Sequence, residues 1–508
     1  MKIHLSISII TCFLIVSNPI SGQMEEYGNL LLGDELNDLY GYSIALNAEG
    51  NILAVGSPGS DLDAGSGGLV RVYKLEGDTW TQMGQDLTGA EGGEQCGVAV
   101  DLNYTGSRIA VGCPYSNGAG QTVFAGRVQV FEWDGTAWTD LGAPILGMTS
   151  LEESGANLSL DNEGNTIAIS SPCYSAEFSC SGLVRVFELE NSEWIQKGNN
   201  FESLSGLFTK YGENLALSGD GFTLAISSNR NSFPYDTLPA FAQVFRWQEE
   251  SWTQYGETYF SEEPNRYSGM DVALSEDGST LSISDCYSNH PFNNIPIPRG
   301  EVKVFSLIDN QLIQKGETIN NFTNGYEGLQ TEMSLDGNTL FISSSIFQPP
   351  YAYSSGKFHF VEWTETGWVS EEFDPDYGVD FFQRSQRMNG FGSVVVTADH
   401  IFGHWPNEGH GAVQAFSTPT LNSIERDNLI NHFKLFPNPA AGKEVSVALN
   451  LKGKVNLIIR DITGKIIAQQ TIQPGYLKFN IEGFAPGIYY CTIFNSSIKA
   501  TRKLVIQP

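Results

Sequence analysis

The amino-acid sequence predicts an all-β chain, a seven-bladed β-propeller of four-stranded blades followed by a small C-terminal Ig-like β-sandwich. Three observations carry that expectation. A phrase about 57 residues long recurs six times from Gly41 onward. A strand-like piece, EEYGNLLLGDEL at residues 25–36, stands ahead of the first copy with no repeat of its own. After Ser417 the phrase stops, and strands with different turn residues begin.

Length and composition set the frame. A chain of 508 residues is too long for one small core, so two or three units are expected. With 54 Gly, 30 Phe, 20 Tyr and 9 Trp but only 17% charged residues, the chain suits short strands joined by tight turns. The formal charge of −30 repels polyanions, so nucleic acid is not an expected partner.

The N-terminus opens with Lys2, runs through LSISIITCFLIV at residues 5–16 and reaches a small polar stretch ending at Gly22. That order reads as a signal peptide over residues 1–22. Its apolar run falls short of the roughly 20 residues that span a bilayer. Cys12 lies inside the run and is no lipid acceptor, and the mature chain is expected to have no transmembrane segment. The expected organisation is therefore a signal peptide at 1–22, a propeller at 23–417, a linker at 418–433 and a C-terminal unit at 434–508.

The repeat defines the propeller. Its first phrase reads GYSIALNAEGNILAVGSP from Gly41, GVAVDLNYTGSRIAVGCP from Gly97 and GANLSLDNEGNTIAISSP from Gly155. Further copies start at Gly212, Gly269 and Gly328, so successive starts lie 56, 58, 57, 57 and 59 residues apart. A second phrase follows each, as in GLVRVYKLEGDTWTQMG from Gly68. Alternating stretches separated by Glu49-Gly50, Asp220-Gly221, Asp277-Gly278 or Asp336-Gly337 read as hairpins whose glycine takes positive φ. With two more strands from the second phrase, each repeat holds four, the content of one blade. A weaker seventh copy, GSVVVTADHIFG from Gly392 and GAVQAFS from Gly411, lacks the fourth strand. The orphan N-terminal piece resembles that strand, and closing the ring with it leaves no open sheet edge. Six or eight blades are the alternatives. Trp80, Trp138, Trp194, Trp252 and Trp368 recur at one repeat position, with Leu312 in the fifth copy, which reads as packing between blades rather than a ring of sugar platforms.

Function is sought where the repeats differ. The loops between second and third strands are long, aromatic and varied, and they share one face with the fourth-to-first loops. Tyr115, Tyr174, Tyr235, Tyr287, Tyr351, Tyr353 and Trp405 are the candidate ligand-binding residues there, for a glycan or a protein. The other reading has these loops packed by their own aromatics. Cys173 and Cys180 are expected to pair across one loop, and Cys96 with Cys113 is a second candidate bridge. No CxxC occurs, and His404, Glu408 and His410 lack a recognised ligand spacing, so neither a metal nor another cofactor is expected. No nucleophile elbow, phosphate loop or H-E-x-x-H occurs either. A non-catalytic binding module is the expectation. The alternative is a secreted polysaccharide-acting hydrolase or lyase, which needs acids converging at the central channel with a His or Arg.

The recurring first and second phrases together resemble the FG-GAP repeats of integrin-α-like propellers across residues 24–418. Calcium-binding copies of that family carry several acidic residues in the first hairpin loop. Here the loops read NAEGN, NYTGS, DNEGN, SGDGF, SEDGS and SLDGN, and one or two carboxylates cannot assemble 6 to 8 oxygen ligands.

The C-terminal unit carries F-P-N-P around Pro437, Asn438 and Pro439, D-x-x-G-K from Asp461 through Gly464 and Lys465, P-G-x-Y with Gly487 and Tyr489, and K-L-V-I from Lys503. This ordered set is similar to the type A sorting domain of the type IX secretion system of Bacteroidetes. The resemblance implies that these residues form turns and a translocon-facing surface, with the type IX machinery as partner. It further implies a mature protein that is secreted or attached to the outer cell surface.

Overall fold

The computed structural model describes residues 24–35, 38–60, 67–118, 122–174, 180–203, 209–228, 239–261, 267–288, 300–320, 327–346, 354–364, 367–373, 385–399, 411–418, 433–436, 444–449, 454–461, 466–473, 475–494 and 499–506. Among them every regular element is a β-strand. The signal-peptide and linker assignments lie outside these residues.

Seven antiparallel sheets, each built on a path of four strands, occupy residues 25–417. The second strands Ile52–Ser57, Thr166–Ser171, Thr223–Ser228 and Val394–Asp399 are buried at every position. Each is covered on both faces by neighbouring sheets, which is why these segments read as unbroken apolar or small runs rather than alternations. The inner strands Ser43–Leu46, Ala99–Leu102, Asn157–Leu160, Tyr211–Leu217, Tyr267–Leu274, Glu327–Met333 and Ser385–Met388 each lie against the next, and the last lies against the first. That closed cycle of sheets is a β-propeller.

The first hairpin of each sheet is fixed by its own side chains. Asn47 Oδ1 accepts the N–H groups of Asn51 and Ile52, both at 2.9 Å, and Asn103 and Asn389 do the same in their sheets. In the fourth to sixth sheets a serine replaces the asparagine. Ser218, Ser275 and Ser334 accept from Thr223, Thr280 and Thr339 and donate to Asp220, Asp277 and Asp336. The turn carboxylates therefore serve the turn's own donors. Gly50, at φ 75°, closes its turn in a left-handed conformation that side chains resist.

Indole N–H groups tie successive sheets together. Trp80, Trp138, Trp194, Trp252 and Trp368 donate from Nε1 to the carbonyls of Tyr27, Met83, Leu141, Lys197 and Lys315 in the preceding sheet, at 2.7–3.2 Å. Where Leu312 stands in the fifth sheet, the Tyr255 hydroxyl takes over the link by accepting from Asn310 N–H at 2.9 Å.

The ring closes with the N-terminal segment. Glu25–Glu26 and Leu31–Leu32 pair with Ala412–Ser417 and supply the outer strand of the seventh sheet.

Beyond the ring, two further sheets, one of three strands and one of four, build the C-terminal unit. Val445 of the smaller sheet joins Leu457, Ile459, Tyr489, Cys491, Ile493 and Leu504 of the larger in one buried core.

Candidate functional site

The inner strands line a central channel, and their polar side chains stitch each sheet to the next. Ser43 Oγ donates to the Gly97 carbonyl at 2.7 Å, Asn157 Nδ2 to that of Glu213 at 3.0 Å and Asn214 Nδ2 to that of Met270 at 2.8 Å. Asp101 Oδ2 accepts from Leu160 N–H at 2.7 Å, and Asp271 Oδ2 from Thr331 N–H at 2.8 Å. These contacts exist because an inner strand has one edge without a strand partner, whose backbone groups need other acceptors and donors.

One end of the channel is drawn tight. At the hairpin turns the N–H of Ala48 donates to the Tyr104 carbonyl, Tyr104 to Asn162, Asn162 to Gly219, Glu276 to Leu335 and Leu335 to Gly390, at 2.8–3.1 Å. A Cβ on Gly219 would come within 2.5 Å of the Asn162 amide, so that side chain would have to move to admit one. Across that glycine, Asn162 Nδ2 donates to Glu276 Oε1 at 2.7 Å.

Four charged groups stand on the channel wall. Arg387 Nη1 meets Glu332 Oε1 at 2.9 Å, and the two side chains keep 35% and 24% of their surface open to the channel. Asp101 and Asp271 add two more carboxylates within electrostatic reach of Arg387. Burial pushes Asp101 and Asp271 up to about 6 against the pull of their backbone donors and Arg387. Burial also pushes Glu332 up to about 7, with Asp271 and Asp101 adding to the rise and Arg387 opposing it.

In the unfolded chain such carboxyls release their protons near pH ~4. Between about pH 4 and 7 the folded chain thus binds more protons than the unfolded one, and stability falls as pH rises through that window. The melting temperature of the ring is expected to be higher near pH ~5 than near ~8, and Glu332→Gln to flatten the slope. Thermal unfolding of both proteins across that range checks this; equal slopes would remove the channel carboxyls as its cause.

At the opposite end, where inner strands begin and second strands finish, the side chains are aromatic and charged. Tyr115 is half-buried, with its ring edge-on to Phe124 at 5.7 Å between centroids. Burial raises its hydroxyl pKa, and Glu153, Tyr42 and Cys173 add to the rise, which puts these groups around it. Lys210 and Glu213 form an ion pair at 3.6 Å beside them, since both act on Glu153. Beneath this rim, buried Glu152 accepts from Met148 N–H at 2.7 Å, Thr149 N–H at 2.9 Å, Ser171 Oγ at 2.9 Å and Arg185 Nη2 at 3.2 Å. Arg127 pairs with Glu94 at 2.9 Å in the neighbouring sheet, where Cys96 and Cys113 form a disulfide.

Of the aromatic residues singled out from the sequence, Tyr115 and Tyr174 lie on this end, both half-buried. Tyr287 belongs to the strand Thr280–Ser288 rather than to the loop after it, because pairing with Tyr267–Leu274 continues that far. Tyr235, Tyr351, Tyr353 and Trp405 lie outside the described residues. Cys173 and Cys180, expected as a bridge, are unbridged thiols here, and Cys180 and Glu153 lie within electrostatic reach of the Cys173 thiol. In the C-terminal unit Asp461 is register partner to Tyr489, and Tyr490 to Lys503. The Tyr489 hydroxyl donates to the Ala485 carbonyl at 2.8 Å, bracing the turn that Gly487 leaves. Pro437, Asn438, Pro439, Gly464 and Lys465 lie outside the described residues.

Sequence reasoning missed the channel charges, although a signal existed. Asp101, Glu332 and Arg387 share one repeat column with Ala45, Ser159, Ala216 and Ala273. A charge in a column of small residues marks a wall position where one copy departs from the rest.

Residues 434–507 match the family described as the secretion system C-terminal sorting domain. This is a type IX sorting domain, and it makes the chain an exported protein, secreted or held at the outer surface, with a β-propeller fold. No curated protein matches the chain. Among solved structures it is similar to the periplasmic gluconolactonase PpgL of Pseudomonas aeruginosa, at 12% identity and TM-score 0.43 over 65% of this chain and 84% of that one. The Dos1 propeller is similar at 10% identity and TM-score 0.41, over 78% of this chain and 97% of that one. The β-propeller domain of the Trilobed protease from Pyrococcus furiosus is similar at 9% and 0.39, over 73% and 91%. Likeness this distant carries no residue correspondence. No helix among the described residues is long and apolar enough to cross a membrane.

Proposed function

We propose that the chain is an exported, non-catalytic binding protein that takes a glycan or protein ligand on the loop-bearing face of its ring. In this reading the seven sheets are the blades of an FG-GAP-type propeller. The two C-terminal sheets form an Ig-like sandwich, and residues 1–22 are a signal peptide. The observation that carries the reading is the Tyr115 ring, braced edge-on by Phe124 beside Tyr42 and Glu153. A fixed ring with adjacent charge suits stacking on a sugar or capture of a peptide with little ordering cost.

A thermal-shift screen of the full chain against soluble polysaccharides, with and without calcium, tests it. A ligand of the folded state adds about 2.7 kcal/mol of stability at a hundredfold excess over its dissociation constant. The expected result is a saturable shift without product release, weakened roughly tenfold in affinity by Tyr115→Ala. A shift with no glycan removes that ligand class and leaves protein partners.

A polysaccharide-acting hydrolase or lyase is the second reading, favoured by Asp101, Asp271 and Glu332 gathered around Arg387 on the channel wall. It counts against this reading that Asp101 and Asp271 each accept two backbone N–H bonds as links of the wall. Release of reducing ends by the wild-type chain, lost in Glu332→Gln, would decide for the enzyme.

A further inference from the structure

We propose that the rim between the second and third sheets docks an extended segment of another protein, one that sets a large apolar side chain beside a lysine or arginine. This rests on the binding reading above and narrows its ligand to a protein. Two segments build the site. Val123 and Phe124 follow the turn that carries Tyr115, and Met148 and Leu151 belong to the loop that leads into the third sheet. All four side chains are apolar, yet they keep 41–50% of their surface exposed. They form one surface because the two backbones are bonded to each other. Val123 N–H donates to Ser150 Oγ at 3.2 Å, the Val123 carbonyl accepts from Leu151 N–H at 2.8 Å, and the Phe124 carbonyl accepts from Glu153 N–H at 3.2 Å. The Met148 end is fixed by its N–H bond to buried Glu152. Tyr115, edge-on to Phe124, is held by its N–H bond to the Glu94 carbonyl at 3.3 Å and by the Cys96–Cys113 bridge at the end of its strand.

Two of the apolar side chains are held in place against the preference of their backbone. Phe124 has φ 51° and Leu151 φ 63°, left-handed conformations that a side chain resists and glycine adopts freely. Neither joins the buried clusters of the second and third sheets. A bulky residue that is strained and buries nothing in its own fold is accounted for by what it presents to the outside. The chemistry of the surface then selects the occupant. Val123, Met148 and Leu151 offer a sugar neither a flat ring nor a hydrogen bond, whereas they suit the apolar centre of a protein interface. Charge supplies the second element. Glu94 and Glu152 each meet an arginine, at 2.9 and 3.2 Å, and Glu213 meets Lys210 at 3.6 Å, but Glu153 makes no ion pair among the described residues. Burial raises the Glu153 pKa, so a cation brought beside it under an apolar cover is stabilised more than at an open surface. A second copy docked about a two-fold axis would instead oppose the two Glu153 carboxylates.

The test pans a phage-displayed library of random linear peptides on the full chain. Enriched peptides, made synthetically, are then titrated against wild type, Leu151→Gly and Glu153→Gln. They are expected to share an aromatic or large aliphatic side chain next to a lysine or arginine. Leu151→Gly is expected to weaken them by about tenfold or more. It is also expected to melt no lower than wild type, because glycine suits φ 63°, so a folding defect does not account for the loss. Glu153→Gln is expected to weaken them several-fold and to remove most of the salt dependence of binding. No enrichment, or peptides that bind Leu151→Gly as tightly as wild type, overturns the docking site. Unchanged affinity in Glu153→Gln overturns the paired cation. A wild-type dimer in sedimentation that Leu151→Gly dissolves overturns the foreign partner in favour of a second copy. A soluble glycan that raises the melting temperature of wild type and Leu151→Gly alike, with no peptide enriched, overturns this inference and leaves the binding function standing. Failure of peptides and glycans together removes both.

Discussion

Deleting residues 24–33 is expected to abolish the cooperative unfolding transition of the ring, or to move it far below that of the wild-type chain. The segment is joined to the seventh sheet by the register pairs Glu25↔Ser417, Glu26↔Phe416, Leu31↔Val413 and Leu32↔Ala412. Tyr27 N–H adds a bond to the Ala415 carbonyl at 2.9 Å, and Gly33 N–H one to Gly411 at 3.2 Å. It reaches the first sheet as well. Asn29 Oδ1 accepts from Trp80 N–H at 2.7 Å, and the Tyr27 carbonyl accepts the Trp80 indole N–H at 3.2 Å. Leu31 and Trp80 are buried in the cluster shared by the first and seventh sheets. At about 1 kcal/mol for each hydrogen bond and about 2–3 kcal/mol for a buried leucine, the loss is on the order of 5–10 kcal/mol. That is comparable to the whole stability of a typical folded protein. Urea unfolding followed by tryptophan fluorescence measures it, and Trp80 reports the closure directly. Restoring residues 24–33 at the other end of the ring, after Ser417, is expected to recover the transition. A deletion that melts like the wild-type chain would mean the seventh sheet holds the ring without its outer strand.

How much of this arrangement was legible in the sequence depends on whether the feature repeats. Gly41, Gly97, Gly155, Gly212, Gly269 and Gly328 mark their rows because each begins an inner strand at the same place. The tryptophans at residues 80, 138, 194, 252 and 368 are readable as sheet-to-sheet packing for the same reason. The orphan segment was legible because it resembles a strand the last copy lacks. What does not repeat was hidden. Which strand positions face the channel depends on the ring being closed, so Asp101, Asp271, Glu332 and Arg387 gather only in three dimensions. The approach of Glu153 to the Cys173 thiol has the same character. Twenty residues separate them in sequence, and stacking of consecutive sheets brings them together. What the turn aspartates 220, 277 and 336 do was likewise hidden, since their loops hold too few carboxylates for a cation. Their actual partners are the serine hydroxyls two residues before them.

A chain ending at Thr418 is expected to fold and melt like the ring of the full protein yet to fall to background outside the cell. The two units bury separate cores. The C-terminal cluster consists of residues from Val445 to Ile506, and none of the ring's clusters among the described residues includes a side chain beyond Phe416. Removing residues 434–507 therefore takes away the sorting domain without opening a cavity in the ring. Loss of export is expected because the match to the sorting domain lies in these residues and implies recognition by the type IX machinery. The measurement is the fraction of chain in the medium and on the cell surface of a host that carries the system, with melting curves of both purified proteins alongside. A truncated chain that reaches the outside at the wild-type level would put the address in the ring instead. A truncated chain that is absent outside and also melts lower would show that the two units stabilise each other. Transfer of residues 434–508 to an unrelated periplasmic protein separates these cases, because a domain that carries the address by itself sends its new passenger across the outer membrane.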